Sequence, residues 1–196
     1  MKKVHVIISA ILLTTFMGCH ETNKKDNVTN APDTAVVKED DAISSKEKKA
    51  TDWNELDWNS PVIKYDEVKS KDVSIHGNDK YAIYSVNEKV LFNSGEATIR
   101  KQAEQNLNEI ASAIENHSNG GIRVYGYTDS TDTKESNKEL SEKRADAVRD
   151  YLTSEGKIPE ERISVYAEGE NSPVANNGTT QGRQQNRRVE IAAMND

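Results

Sequence analysis

The pattern of apolar and polar residues divides the C-terminal half of the chain into alternating helices and strands. Apolar residues recur at steps of three and four from about Ala97 to Asn116 and from Glu135 to Ser154, which places them on one face of each helix. Apolar residues instead occupy every second position in residues 122–127, 163–167 and 189–193. This alternation predicts three strands.

Two shorter segments complete the predicted domain. Val90-Leu91-Phe92 is an apolar run followed by the turn-forming sequence Asn93-Ser94-Gly95, and we expect a strand there. Gly169 to Gly182 is polar, and we expect a loop. The resulting order, β-α-β-α-β-β, predicts an α/β (α+β) sandwich in which helices pack on one face of a mixed β-sheet. We place this domain at residues 87–196.

The residues before this domain suggest a shorter ordered segment. Residues 61–86 contain two β-like runs, Val73–Ile75 and Tyr81–Val86, separated by a turn signal, and they predict a β-hairpin that leads into the domain. Trp53 and Trp58 come just before this hairpin. Tryptophans at a domain edge either pack onto the domain or mark an interface with a partner, and we favour packing.

The N-terminus has the organisation of an export signal. Met1-Lys2-Lys3 is basic, and the apolar run from Val4 to Met17 is shorter than the roughly 20 residues that a membrane-spanning helix needs. We therefore interpret residues 1–18 as a signal peptide. Cys19 follows directly and is the only cysteine, which excludes an intrachain disulfide and a zinc site built from paired thiolates.

The residues around Cys19 indicate lipidation. Phe16-Met17-Gly18-Cys19 resembles the bacterial lipobox, although Phe16 and Met17 depart from its usual residues. The resemblance implies that Cys19 carries palmitate-type acyl chains that anchor the protein to a lipid bilayer. His20, rather than Asp, follows the cysteine, and in the enterobacterial sorting rule this implies the outer membrane. The alternative is an incidental cysteine in an ordinary secretory signal.

Residues 19–60 are predicted to be a flexible linker. The segment from His20 to about Ala50 is rich in charged and polar residues, has little periodicity and cannot bury enough apolar surface to fold. A coil of this length spans about 35 Å. We therefore expect a domain that is lipid-anchored at the outer membrane, faces the periplasm and can reach the cell wall.

Composition excludes several classes of function. The net charge is −7 and no long basic stripe is present, so nucleic acid is not an expected partner. The four histidines do not have a metal-ligand spacing, and the sequence contains no glycine-rich phosphate loop. We therefore predict no cofactor, no metal and no catalytic activity.

One arginine stands out in the second predicted helix. Arg144 lies four residues after Leu140 and close to the apolar Val148, so helical geometry directs its guanidinium toward the sheet. Asn137 projects from the same side, and Asp129 follows the neighbouring strand. A carboxylate opposite a guanidinium suits a zwitterionic head group, such as that of an amino acid. Alternatively, Asp129 and Arg144 only neutralise each other as an ion pair.

Three stretches resemble the OmpA-like peptidoglycan-binding domain, which occurs in the peptidoglycan-associated lipoprotein and in the flagellar stator protein MotB. They are Gly126-Tyr127-Thr128-Asp129, Asn137 to Ala145 and Gly182 to Glu190. The sequence departs from the family at Tyr127, where histidine is common, and at Asn93-Ser94-Gly95. Neither departure affects Asp129 or Arg144.

This resemblance implies a function and a set of site residues. It implies that Asp129 and Arg144 bind the amino and carboxylate groups of diaminopimelate in the peptidoglycan stem peptide. The residues expected to support or line the pocket are Asn137, Arg187, Thr131 and Phe92. The expected function is non-covalent binding that links the outer membrane to the cell wall. An envelope scaffold that recruits other envelope proteins is the alternative, and a wall-modifying enzyme is a weaker one.

Overall fold

Residues 52–195 are described by a computed structural model of the protein. The predicted signal peptide, Cys19 and the linker up to residue 51 lie outside these residues. The described chain forms one five-stranded sheet with the order β1-β2-β5-β3-β4, in which β3 and β4 are parallel and the other neighbours antiparallel. The strands are β1 (Val73–Asn78), β2 (Tyr81–Asn87), β3 (Ile122–Tyr127), β4 (Ile163–Gly169) and β5 (Arg188–Met194).

The two long helices lie on one face of this sheet, as predicted. Leu107 and Ile114 of one helix and Val148 of the other share a buried core with the sheet residues Val124 and Ile191. Among the described residues, no helix is long and apolar enough to cross a membrane. The helices are α1 (Glu88–Leu91), α2 (Glu104–His117), α3 (Lys134–Ser154) and α4 (Thr180–Asn186), and 3-10 turns occur at Trp53–Glu55, Lys101–Ala103 and Glu160–Arg162.

Two short elements differ from the prediction. The strand expected at Val90–Phe92 is wrong: α1 covers Glu88–Leu91, because the side chain of Asn87 accepts a hydrogen bond from the Lys89 amide and caps a helical turn. The expected polar loop is interrupted by α4, which Thr179 caps in the same way. Only two residues of α4 are buried, so it has no apolar period that the sequence could reveal.

The predicted hairpin forms, and it is continuous with the main sheet. Strand β2 pairs with β5 along its whole length, from Tyr81 opposite Met194 to Asn87 opposite Arg188. Residues 61–63 extend the edge beside β1, where the Ile63 amide donates to the Ile75 carbonyl at 3.0 Å. The hairpin therefore supplies two of the five strands.

The residues before the hairpin cover the other face of the sheet. Trp53 and Leu56 pack against a buried aromatic cluster that includes Tyr125, and the Trp58 ring meets the Tyr125 ring edge-on at 5.1 Å. The Arg123 guanidinium lies 4.1 Å from the centre of the Trp53 ring. Both tryptophans therefore pack onto the domain, and residues 52–60, which the sequence placed in the linker, lie against the sheet.

Two buried tyrosines provide a matched test of the packing. The Tyr84 hydroxyl is buried without a hydrogen-bond partner in the described chain, whereas the Tyr81 hydroxyl accepts from the Asp57 amide at 2.9 Å and contacts Ser60 Oγ at 2.6 Å. We expect Tyr84→Phe to leave the free energy of unfolding unchanged or raise it by up to about 1 kcal/mol. Tyr81→Phe should lower it by about 1–2 kcal/mol. Urea denaturation measures both, and equal effects would contradict this account.

Candidate functional site

A cavity of about 550 Å³ lies where β3 ends and β5 begins, beside α1 and α3. Its lining is highly charged and contains both signs, with four cations and three carboxylates among its side chains. These charged residues are Glu88, Lys89, Arg100, Asp129, Asp132, Arg144 and Arg187. Such a lining favours a small polar ligand that itself carries both charges.

The close approach of α3 to β3 depends on one glycine. A Cβ atom built on Gly126 would lie 2.1 Å from the backbone oxygen of Ser141, so any side chain there would push the helix away. Ser141 is fully buried, and its hydroxyl accepts a hydrogen bond from the Gly169 amide at 3.0 Å. The contact fixes the turn of α3 that carries Arg144, three residues further along.

Asp129 is held as a buried carboxylate two residues beyond β3. Its Oδ1 accepts hydrogen bonds from the Thr131 amide at 3.1 Å and the Thr131 hydroxyl at 2.6 Å, and its Oδ2 accepts from Arg187 Nη1 at 2.5 Å. Burial alone would raise the pKa of Asp129, but these hydrogen bonds and the Arg187 charge outweigh it and lower the pKa. The residue is therefore an anion at neutral pH.

Arg144 occupies the sheet-facing position that the helical period predicted, with 2% of its surface exposed. Its Nη2 donates to Glu88 Oε1 at 2.9 Å, and its Nε donates to the Glu96 carbonyl at 3.0 Å. The guanidinium carbon lies 5.4 Å from the centre of the Phe92 ring. Burial lowers the pKa of Arg144, and the charge of Glu88 opposes that effect.

Asp129 and Arg144 are connected through two other residues rather than paired directly. Arg187 donates to Asp129 and also lies 3.2 Å from Glu88 Oε2 through its Nε, while Glu88 pairs with Arg144. The four side chains form a row of alternating charge from Asp129 to Arg187, Glu88 and Arg144. The alternative prediction, a direct Asp129–Arg144 ion pair, is therefore wrong.

Glu88 is a central site residue that the sequence did not reveal, and Thr128 was likewise not among the predicted site residues. It is 7% exposed and lies between two arginines. Because the sequence placed a strand at residues 90–92, nothing directed Glu88 toward α3. The only local signal was Asn87, a strong helix-capping residue that precedes it.

Three buried atoms around the cavity have unused hydrogen-bonding capacity. Arg144 Nη1, Glu88 Oε2 and Thr128 Oγ1 form no hydrogen bond within the described chain, and all three residues line the cavity. Arg144 Nη1 does lie 2.9 Å from Glu88 Oε2, so they attract as an ion pair although their orientation does not give a hydrogen bond. Buried polar atoms are seldom left unsatisfied, so Thr128 Oγ1 and the Arg144–Glu88 pair have capacity for further hydrogen bonds to water or to a ligand in the cavity.

The remaining predicted residues also reach this cavity. Asn137 Nδ2 donates to the Asp132 carbonyl at 3.3 Å and to Glu170 Oε2 at 3.0 Å, so it holds together the loops that follow β3 and β4. Phe92 is buried below Arg144, and Thr131 is exposed at the opening. The structure thus brings together all six residues predicted for the site, namely Phe92, Asp129, Thr131, Asn137, Arg144 and Arg187.

Comparison with known proteins identifies related sequences. Residues 91–187 match the sequence profile of the OmpA family. The chain is 31% identical to the protein YtxE of Bacillus subtilis over 190 residues, which is 94% of this chain and 78% of YtxE. It is 33% identical over 126 residues to an Escherichia coli protein named "Probable lipoprotein YiaD", a match that covers 64% of this chain and only 57% of YiaD.

A solved structure shares the fold. The cell wall anchor of the T6SS from Pseudomonas aeruginosa superposes with a TM-score of 0.59 and 28% sequence identity. The match covers 67% of this chain and 93% of that one. The mixed sheet and its helices are therefore an arrangement already known in a protein of the bacterial cell envelope.

Proposed function

Because this chain belongs to the OmpA family, we propose that its charged cavity binds peptidoglycan non-covalently through the amino-acid head group of diaminopimelate. The observation that carries the proposal is the row of alternating charges together with two buried atoms beside the cavity, Arg144 Nη1 and Thr128 Oγ1, that form no hydrogen bond within residues 52–195. Both atoms can donate a hydrogen bond, and a carboxylate is the acceptor that suits them.

The ligand's two charged groups have separate places in this proposal. The ammonium binds Asp129, whose oxygens retain free lone pairs beside the hydrogen bonds from Thr131 and Arg187. The carboxylate accepts from Arg144 Nη1 and Thr128 Oγ1. Glu88 would repel a carboxylate, but Arg144 and Arg187 lie on either side of it and offset its charge.

Two of the similar proteins support a role in attachment to the cell wall and an anchor in a membrane. The matched Pseudomonas aeruginosa protein is a cell wall anchor, a role that requires binding and no chemistry. The name of the Escherichia coli relative describes a lipoprotein. We propose that this chain is likewise anchored to the outer membrane through an acylated Cys19, faces the periplasm and attaches the membrane to the wall without catalysis.

A comparison of two stem-peptide fragments tests the ligand. Diaminopimelate and lysine present the same side-chain ammonium, but lysine lacks the adjacent carboxylate that would contact Arg144 and Thr128. We expect the diaminopimelate peptide to bind at least about tenfold more tightly in isothermal titration, because a site with buried donors rejects a ligand that leaves them unpaired. Equal affinity for the two peptides would exclude this assignment.

The lipid anchor has its own test. Cys19→Ser removes the thiol that would carry the acyl chains, and we expect the exported protein to move from the membrane fraction to the periplasmic fraction. Acyl chains supply the membrane affinity, at about 0.8 kcal/mol per buried CH₂, so their loss leaves little to retain the protein. Unchanged membrane fractionation of the variant would contradict lipidation.

A further inference from the structure

A second cavity lies on the opposite face of the sheet. It has a volume of about 480 Å³, and its floor is formed by outward-facing residues of β1, β2 and β5. Three of these residues, Ser74, Ser85 and Glu190, are direct neighbours across adjacent strands. We call this cavity the Glu190 groove. Its size lies within the range of about 300–1,000 Å³ that is usual for ligand sites.

Glu190 at the floor of the groove has unused hydrogen-bonding capacity. The residue is 8% exposed, and its Oε1 accepts a hydrogen bond from Arg188 Nε at 2.8 Å, while Oε2 is buried and forms no hydrogen bond within the described chain. Burial first, then the charge of Glu190 and a side-chain hydrogen bond with it, raise the pKa of the nearby Tyr127 phenol. A carboxylate has about four acceptor positions, so Glu190 retains capacity for a donor from the groove.

Part of the wall of the groove is apolar and exposed. The described chain has three exposed large hydrophobic residues, and two of them, Trp58 at 42% and Val174 at 62%, line this groove. Trp58 is held by its edge-on contact with Tyr125, so its ring is both fixed and accessible. A fixed aromatic surface beside polar groups suits a ligand with an apolar face and a hydroxylated edge.

The charges of the groove indicate a neutral ligand. Its charged residues are Lys71, Asp72, Arg188 and Glu190, two of each sign. Arg188 and Glu190 pair with each other, and Lys71 and Asp72 carry opposite charges, so the groove has no net charge to attract an ion. The remaining capacity of Glu190 therefore suits a neutral donor such as a hydroxyl group.

We propose that the Glu190 groove is a second binding site, and that its ligand is a neutral saccharide. A sugar hydroxyl donates to Glu190 Oε2, other hydroxyls bind Ser74 and Ser85, and the apolar face of a sugar ring rests on Trp58. This site goes beyond the proposed diaminopimelate site because it lies on the other face of the sheet and requires no charged group on the ligand.

A titration followed by nuclear magnetic resonance tests this proposal. The full chain is titrated with two β-1,4-linked tetramers, one of N-acetylglucosamine and one of glucose. We expect amide shifts at Ser85, Gln185 and Glu190 and none at Asp129. If both tetramers bind, contacts to the sugar rings and hydroxyls are sufficient for binding. If only the N-acetylglucosamine tetramer binds, the site also recognises the acetamido group. Either result supports the site. Binding of neither tetramer overturns it.

Single substitutions test whether the residues of the Glu190 groove bind the saccharide. Trp58→Leu and Ser85→Val should each weaken saccharide binding about tenfold or more, because they remove the aromatic surface and a floor hydroxyl. Trp53→Leu is the matched control, since Trp53 packs on Arg123 and lies outside the groove. Asp129→Asn should leave saccharide binding intact, so the two proposed sites can fail independently. Unchanged saccharide binding in both groove variants would overturn the assignment.

Discussion

Replacement of Arg144 by alanine should lower the free energy of unfolding by about 3–5 kcal/mol. The substitution removes a guanidinium that is 2% exposed and leaves Glu88, its buried partner, with only the partly exposed Arg187 to offset its charge. It also frees the Glu96 carbonyl, which Arg144 Nε binds at 3.0 Å. Urea denaturation of the variant and the wild type measures the difference.

A double variant separates the loss of stability from the loss of binding. Glu88→Leu combined with Arg144→Met replaces the ion pair by apolar side chains of similar size, an exchange that is often neutral or stabilising in buried sites. We expect this double variant to recover most of the stability lost in Arg144→Ala and still fail to bind the diaminopimelate peptide. If Arg144→Ala is as stable as the wild type, the ion pair has no structural role.

Asp129→Asn should weaken binding of the diaminopimelate peptide by about 10- to 100-fold and leave the protein folded. The amide keeps an oxygen for the Thr131 hydrogen bonds but loses the charge that would pair with the ligand's ammonium, a contact of about 1.5–3 kcal/mol. Arg187 retains Glu88 as its partner. Isothermal titration and co-sedimentation with purified peptidoglycan measure the effect.

Asp132 provides a matched control for charge alone. It lines the same cavity but is exposed at its rim, so Asp132→Asn removes one negative charge without removing a buried ligand contact. Exposed charges contribute at most about 1 kcal/mol, and we expect less than a fivefold change in affinity. Comparable losses in the two variants would mean that overall charge, and not contact with Asp129, attracts the ligand.

The pH dependence of binding should follow the ionisation of Asp129. Its pKa is held below the ordinary aspartate value of about 3.9 by hydrogen bonds and the Arg187 charge, which outweigh burial. The carboxylate is therefore charged at any pH above that value, and its contribution to binding and to stability is lost only as the pH falls through the lowered pKa. Binding should be constant from about pH 8 to pH 5. Loss of affinity above pH 5 would require a different titrating group.

Much of the fold could be predicted from the sequence because its main elements carry a strong apolar period. Helix α3 begins at Lys134, one residue before the predicted start, and ends at Ser154 as predicted. Strands β3, β4 and β5 contain the predicted segments. Helix α2 begins at Glu104 and not near Ala97, and the 3-10 turn Lys101–Ala103 precedes it. The other two errors, at α1 and α4, concern helices of four and seven residues. Helix formation in elements this short depends on capping residues and on tertiary contacts. The spacing of apolar residues along the sequence does not show either of them.

Six residues of the candidate site were predictable from the sequence, whereas Glu88 and the contacts between the site residues were not. The helical period placed Arg144 on the buried face of α3 and the strand end placed Asp129 nearby, and both are found there. Pairing is decided by side chains that are distant in sequence: Arg144 binds Glu88, 56 residues away, and Asp129 binds Arg187, 58 residues away. No local pattern contains those contacts.

The sequence by itself determined the fold class, the family resemblance and the six residues that meet at the cavity. These follow from periodicity and from motifs, which are properties of neighbouring residues. The tertiary structure alone decided that Glu88 lies between Arg144 and Arg187 and that a second groove forms around Glu190. It also decided that Arg144 Nη1 and Thr128 Oγ1 form no hydrogen bond within the part of the chain that the structure describes. Only chain folding brings these groups out of water and into contact, where an unpaired polar atom becomes costly enough to indicate a ligand.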